Sequence, residues 1–378
     1  MRIAMIGLSL YGQGAEFVLA TIAKGLAARG HSLDVIVSRL HDDIRRAHPD
    51  WKPFNIGEKV RMIVMGGRRG RQCIGELRKI FRTGCYDIVV CHASPFAIPA
   101  RMAALGMVKS PRFVYVEHLG GIGTDWNGNF IQPGFSVLKA LKNLLMRLYD
   151  AQFAVSQGTL DAINRVTGYP KSRLHLVYNP VFDETFENRV TPPPEHPWLR
   201  LATEPVIVAA GAFNGVKNFE LLIEAFAEVR KSRKCRLIIF GEGRSRTKYE
   251  ALIAAKGIQQ FVSLPGFTNK LRAELKGASC FVVSSTVESF SIVLVEAMAA
   301  GVPVISTDAP YGPREILQGG KNGILVPNRD RGALVKAINK VLDGNGIPPS
   351  KDMIARFSVE SASAAYEREL LNVLKGYV

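Results

Sequence analysis

The chain has 378 residues, 47% of them hydrophobic and 22% charged, which favours two domains and excludes a disordered protein. No run approaches ~18 consecutive apolar residues, so no segment is expected to span a bilayer. The net charge of +16 is uneven: residues 1–180 hold 24 Lys/Arg against 12 Asp/Glu, and residues 181–378 hold 25 against 21.

Such an asymmetry points the first half toward something anionic, a membrane surface or a phosphorylated acceptor, with a merely solvated basic surface as the plainer alternative. The opening Met1–Gly7 has the look of a signal peptide. It lacks a small-residue cleavage site, and Glu16, Lys24 and Arg29 follow at once, so it reads as a buried first strand. Further strands are predicted at Leu33–Ser38, Arg61–Met65, Asp87–Cys91, Phe113–Val116, Ala151–Val155 and Leu174–Tyr178. A second series follows at Val206–Ala210, Arg236–Phe240, Phe261–Leu264, Cys280–Ser284, Pro303–Ser306 and Gly323–Val326. These runs are continuous rather than alternating, the mark of strands buried on both faces of a parallel sheet. Helical patterns such as Glu16–Arg29, Asn218–Arg230 and Ser291–Ala300 lie between them.

Two β-α series predict an α/β protein of two facing, doubly wound, Rossmann-like domains. Residues 1–180 form the first. Residues 181–205, with Pro192, Pro193, Pro194 and Pro197, read as a linker without sustained period, and 206–356 form the second. Open α/β sheets bind ligands beyond the carboxyl ends of their strands, which puts the expected site in the cleft between the domains. The cysteines (Cys73, Cys85, Cys91, Cys235 and Cys280) are scattered without metal-ligand spacing. They are expected as ordinary buried thiols of a cytoplasmic protein, with no metal site.

The densest signal is Ser284-Ser285-Thr286-Val287-Glu288-Ser289-Phe290-Ser291, running into a helix that carries Glu296. Ser289 or Ser291 is expected as the helix N-cap, where free N–H groups can seat a diphosphate. Glu288 and Glu296 can accept hydrogen bonds from vicinal sugar or ribose hydroxyls. Upstream, the strand at Val206–Ala210 opens into a glycine-bearing loop ending in Lys217, a point charge suited to phosphate. The strand at Arg236–Phe240 ends in Gly241-Glu242-Gly243, where small residues let a ligand approach the backbone. In the first domain, Gly12-Gln13-Gly14-Ala15-Glu16 opens a helix but is not the dinucleotide fingerprint. Position 17 is Phe, and the second strand ends in Ser38-Arg39 without an acid, which argues against a nicotinamide dehydrogenase. His118 follows the strand at Phe113–Val116 and is placed at the cleft.

Together these segments resemble the family-4 retaining glycosyltransferases of GT-B architecture, over essentially the whole chain. The most specific element is Glu288-x7-Glu296 within Glu-Ser-Phe-Ser-x4-Glu-Ala-Met-Ala-Ala-Gly-Val-Pro-Val. Asn179-Pro180, Tyr311-Gly312-Pro313-Arg314-Glu315-Ile316 and Asn322-Gly323 also fit. The resemblance implies that residues 357–378 form a helix returning to the first domain. It implies that Glu288, Ser289, Phe290 and Ser291 hold the donor sugar, Glu296 the ribose, and Lys217 the leaving diphosphate. Gly14 and Gly243 would allow close backbone approach, Gly266 would lie beside the base, His118 beside the transferred sugar, and Gly12 and Glu16 on the acceptor side. Glu288, His118 and Lys217 are the implied catalytic residues. No cofactor is implied, in keeping with the absence of an Asp-x-Asp motif.

Two positions depart from the family pattern. Ala212 stands where an arginine is usual, leaving Lys217 as the main cation, with Arg244 or Arg314 as helpers. Gln13 stands where a second glycine is common. The expected activity is transfer of a hexosyl or N-acetylhexosaminyl group, with a UDP-sugar favoured, to a glycan or lipid-linked acceptor of surface polysaccharide. The enzyme is expected in the cytoplasm, docked on the inner face of the cell membrane. Two segments motivate docking: Arg68–Arg82, and Phe135–Tyr149 with its leucines at helical spacing. A nucleotide-sugar epimerase of the same architecture is the alternative. A basic nucleic-acid-binding protein is the alternative of another class; no recognition motif supports it, and no nucleic-acid partner is expected. The sequence leaves open the donor sugar and base, the acceptor and linkage, and the oligomeric state.

Overall fold

The computed structural model describes residues 1–12, 14–47, 52–67, 70–92, 94–118, 146–183, 192–201 and 203–376. They fall into two compact units: one from residues up to 118, 146–183 and 357–376, the other from 192–356. Each unit is an α/β structure with its own parallel sheet; the central strands are buried as their apolar runs require, while the edge strands Val60–Val64 and Val262–Gly266 are partly exposed.

The first sheet has seven strands: β1 (Arg2–Gly7), β2 (Ser32–Val37), β3 (Val60–Val64), β4 (Ile88–Cys91), β5 (Arg112–Glu117), β6 (Ala151–Ala154) and β7 (Leu174–Leu176). Their order is β3-β2-β1-β4-β5-β6-β7. Around it lie α1 (Gly14–Ala28), α2 (Ile74–Gly84), α3 (Ser94–Ala104) and α4 (Gln157–Thr167). α4 shows how local chemistry sets the limits of a helix. Ser156 Oγ accepts the Thr159 N–H at its start, and Gly168, at φ 62°, ends it in the left-handed conformation.

The C-terminal helix Val359–Lys375 belongs to this first unit and packs on α1. Gly25 makes the close approach possible, since a Cβ there would overlap Ser363 Oγ. Charge adds to the fit. Arg29 pairs with Glu360 and Glu367 at 2.6 Å each, His31 with Glu367 at 2.7 Å, and His175 with Glu369 at 2.9 Å.

The second sheet has six strands: β8 (Val206–Ala210), β9 (Arg236–Phe240), β10 (Val262–Gly266), β11 (Cys280–Val283), β12 (Val304–Thr307) and β13 (Ile324–Val326). Their order is β10-β9-β8-β11-β12-β13, the same pattern as the first six strands of unit one. Helices α5 (Phe219–Arg230), α6 (Arg246–Ala255) and α7 (Ile292–Ala299) follow β8, β9 and β11. The core on the α5 face gathers Phe213, Phe219, Leu222, Phe226, Ile239 and Tyr249, all buried.

The stretch read as a periodless linker holds a short helix, Pro197–Leu201. It is tied to the second unit, because Glu274 accepts the N–H groups of Glu195 at 3.0 Å and His196 at 3.2 Å. Among the cysteines, Cys73, Cys91, Cys235 and Cys280 are buried free thiols, and Cys85 is exposed.

Candidate active site

In the second unit, two loops beyond the strand ends are stitched into one structure. After β8, Asn214 Oδ1 accepts the N–H groups of Val216 at 3.1 Å and Lys217 at 3.2 Å, a side-chain turn that fixes the loop. After β11, Thr286 N–H donates to Val216 O at 2.8 Å, and Ser284 Oγ donates to Lys217 O at 2.9 Å. Asn328 and Thr307 brace the β11 loop further, donating to Thr286 O at 2.8 Å and Ser285 O at 2.6 Å.

The stitching brings Lys217 Nζ to 2.6 Å from Glu288 Oε2, where Ser285 Oγ also donates at 3.0 Å. Glu288 is held by its backbone too. Its N–H donates to Pro310 O at 3.1 Å, and its carbonyl accepts the Gly312 N–H at 2.8 Å. Gly312 is required at that seat, since a Cβ would come within 2.5 Å of Phe290 O. Lys217 and Glu288, read separately in the sequence for diphosphate and sugar, are thus one ion pair.

α7 begins at Ile292 with Ser291 as its N-cap residue, but Ser291 does not cap through its side chain. Its φ is 80°, and its buried Oγ meets no hydrogen-bond partner among the described residues. This corrects the expected serine cap, which needs an extended backbone. The α7 N–H groups are left to be met by something other than that hydroxyl. Ser289 and Phe290 are buried beside it. Glu296 lies half-buried on α7, and burial pushes its carboxyl up to about 7.

The glycines after β9 serve close packing between loops. At Gly241 (φ 146°) a Cβ would overlap Gly211 O, and at Gly243 (φ 153°) it would come within 2.6 Å of Phe213 O. Gly266 ends β10 at φ 97°, and the exposed Phe267 follows it. Of the two helper cations, Arg314 is engaged by Asp308, with Nε at 3.0 Å from Oδ1. Arg244 lies instead in a cavity of about 590 Å³ with Asn218, Glu220, Lys248 and Arg329. That cavity is bordered by Gly215 and Thr286 of the stitched loops but by none of Lys217, Glu288 and Glu296, so the chemistry of the ion pair, rather than cavity size, marks the candidate site.

In the first unit, Gly12 (φ 105°) and Gly14 are exposed at the start of α1, with Glu16 in its first turn; Gln13 lies outside the described residues. His118 follows β5 and is not a lone imidazole. Its Nε2 is 2.8 Å from Nδ1 of His92, which follows β4. Burial lowers both groups, His118 to about 4 and His92 well below its ordinary value, so both are neutral at physiological pH. Sequence reading missed His92, although a histidine directly after a predicted strand is the same signal that singled out His118.

Of the docking segments, Arg68, Arg69 and residues 135–145 lie outside the described residues. The apolar side of α2 does not face outward as docking there would need. Leu77 and Phe81 are buried in the first core, and Ile74 and Ile80 pack against it.

Two Rossmann-like units in one chain are the architecture of the GT-B class. One family model, "Glycosyltransferase Family 4", matches residues 12–184, and another, "Glycosyl transferases group 1", matches residues 196–357. The chain belongs to the family-4 glycosyltransferases of GT-B fold. It is similar to the N-acetyl-alpha-D-glucosaminyl L-malate synthase of Bacillus anthracis, 24% identical across 98% of this chain and 97% of that one. It is also similar to the lipopolysaccharide 1,6-galactosyltransferase of Salmonella typhimurium, 29% identical over 57% of this chain and 58% of the relative. The crystal structure of Anabaena HepE with UDP and glucose matches its fold with a TM-score of 0.75, at 20% identity over 98% of this chain and 99% of that one.

Proposed function

We propose that this glycosyltransferase moves a hexosyl or N-acetylhexosaminyl group from a UDP-sugar to a glycan or lipid-linked acceptor of surface polysaccharide, with retention of anomeric configuration. The observation that carries the reading is the Lys217–Glu288 pair, fixed at 2.6 Å by the stitched loops after β8 and β11. Such a pair sets a cation for the leaving diphosphate beside a carboxylate for sugar hydroxyls. The UDP named with Anabaena HepE, and the galactosyl and N-acetylglucosaminyl names of the relatives, favour the donor class.

In this reading the bond from the anomeric carbon to the diphosphate oxygen breaks, and the acceptor oxygen bonds to that carbon on the same face. The acceptor proton passes to the departing diphosphate. Lys217 and the amide groups at the start of α7 stabilise the charge that develops there, Glu288 and Ser289–Ser291 hold the sugar, and Glu296 takes the ribose. Gly243 and Gly266 border the nucleotide. Gly14 lets the backbone approach the donor phosphate and sugar, Gly12 and Glu16 serve the acceptor side, and His118 lies beside the transferred sugar. Incubation with UDP-galactose, UDP-glucose and UDP-N-acetylglucosamine, with proton NMR of the glycoside formed, tests this. An α-glycoside from an α-donor is expected; a β-glycoside, or a glycosyl–Glu288 adduct in the mass spectrum, contradicts it.

A lipid-linked acceptor calls for a membrane-facing surface. Met102, Leu105 and Val108 are exposed at and just after the end of α3, and Arg78 of α2 donates to Leu105 O at 2.7 Å. Lys79 and Arg82 are exposed on α2, which packs against α3, and Lys109 is exposed directly after Val108. Each basic residue near an anionic leaflet contributes about 1 kcal/mol. Co-sedimentation with anionic vesicles should be strong at low salt and fall when Lys79, Arg82 and Lys109 become Ser. Equal binding to neutral vesicles would refute docking.

A further inference from the structure

β4 and β5 are parallel neighbours, in register from Ile88↔Arg112 to Cys91↔Tyr115, and each delivers an imidazole just past its end. The His92 and His118 rings stack with centroids 5.0 Å apart and planes 25° apart. Tyr366 of the C-terminal helix is also nearly parallel to His92, at 6.4 Å and 7°. His92 and Tyr366 are buried, so the His92 ring is held by packing on a rigid element rather than by a mobile loop.

A hydrogen bond between two neutral imidazoles needs one N–H and one lone pair, and each ring carries one proton. Either His92 donates from Nδ1 to His118 Nε2, or His118 donates from Nε2 to His92 Nδ1. The remaining nitrogen of His92 decides between them. His92 Nε2 is buried and meets no partner among the described residues. With the proton on Nε2, a buried N–H would go without a partner among the described residues, the costlier arrangement. With the proton on Nδ1, only a lone pair goes unmet, a lesser cost.

We infer that His92 is a positioning residue that donates its Nδ1 proton to His118 Nε2 and so fixes His118 as the Nδ1-protonated tautomer. Resting on the reading of His118 as the imidazole beside the transferred sugar, this makes His118 a hydrogen-bond donor through Nδ1 rather than a base through it. A general base at that nitrogen would need the opposite tautomer.

The test is direct. In protein labelled with ¹⁵N-histidine, two-bond proton–nitrogen correlation reads the tautomer of each ring, and the spectrum of His118→Ala assigns His118. The parent is expected to show His118 protonated at Nδ1. His92→Asn, whose amide N–H can stand where Nδ1–H stood, should preserve that state. His92→Phe, which keeps the ring stack and removes the donor, should shift His118 toward Nε2 protonation. The same variant should lower kcat for UDP release from the accepted donor about tenfold with KM unchanged, and His92→Asn should recover most of the loss. A parent spectrum with His118 protonated at Nε2, or an unchanged tautomer in His92→Phe, overturns the inference. Full turnover in His118→Ala removes His118 from the chemistry and leaves the tautomer to be judged by the spectra alone.

Discussion

The two units share a strand order and differ in what stands at the strand ends. Unit one ends β4 and β5 in two neutral imidazoles 2.8 Å apart, His92 buried and His118 half-buried. Unit two ends β8 and β11 in loops that hold a lysine and a glutamate as an ion pair at 2.6 Å. One sheet pattern therefore supports a neutral donor site and a charged one, because the loops and not the sheet decide the chemistry. The neutral pair can orient a hydroxyl without adding charge, whereas the charged pair can answer charge that develops during bond breaking.

The sharpest way to break that contrast is Lys217→Ala. If Lys217 stabilises the departing diphosphate, kcat should fall about 10³-fold, the scale seen on removing a single charge-stabilising group, while the His118 tautomer is untouched. Steady-state kinetics check this, and near-parental turnover would misplace the charged site. Glu296→Gln comes next. Hydrogen bonds to a charged group contribute roughly 1.5–3 kcal/mol, so donor affinity should fall about 10- to 100-fold, with acceptor dependence unchanged.

The Glu296 carboxyl carries a pH signature as well. If Glu296 takes the ribose, the hydroxyls donate to its ionised form, so with the group raised to about 7, UDP affinity should decline as pH falls through 7. That slope should flatten in Glu296→Gln. The sign for folding is opposite. The unfolded chain releases this proton near 4.5 and the folded chain near 7, so the contribution of Glu296 to stability is lost as pH rises between those values.

On the other side of the contrast, Gly25→Val should push the C-terminal helix off α1. Overpacking costs about 1–3 kcal/mol, which calorimetry would register as a Tm lowered by several degrees. An unchanged Tm would mean that the seat at Ser363 yields. The smallest effect is expected from Ala212→Arg, which restores a second cation near the charged pair. UDP affinity should rise a few-fold in a calorimetric titration, and a drop would mean the loop has no room for it.

Much of the fold was legible because strands buried on both faces leave unbroken apolar runs; β8 and β9 match the predicted bounds residue for residue. The short helix Pro197–Leu201 was not, since five residues among prolines carry no period. Site residues were legible singly and illegible in pairs. Lys217 and Glu288 are 71 positions apart, and only the stitching of two loops joins them. His92 escaped because the strand reading stopped at Cys91, and its bond to His118 depends on the register between β4 and β5. Ser291 looked like a helix cap by residue type, but its φ of 80° turns the hydroxyl away from that role.

The central claim, that the nucleotide diphosphate is held at the Lys217–Glu288 pair and not in the 590 Å³ cavity lined by Lys248, reduces to one comparison. UDP is titrated calorimetrically into the parent, Lys217→Ala, and Lys248→Ala, whose side chain lines the cavity and pairs with Glu220. The account predicts an affinity about tenfold or more weaker in Lys217→Ala and parental in Lys248→Ala. Parental affinity in Lys217→Ala with loss of binding in Lys248→Ala would contradict it.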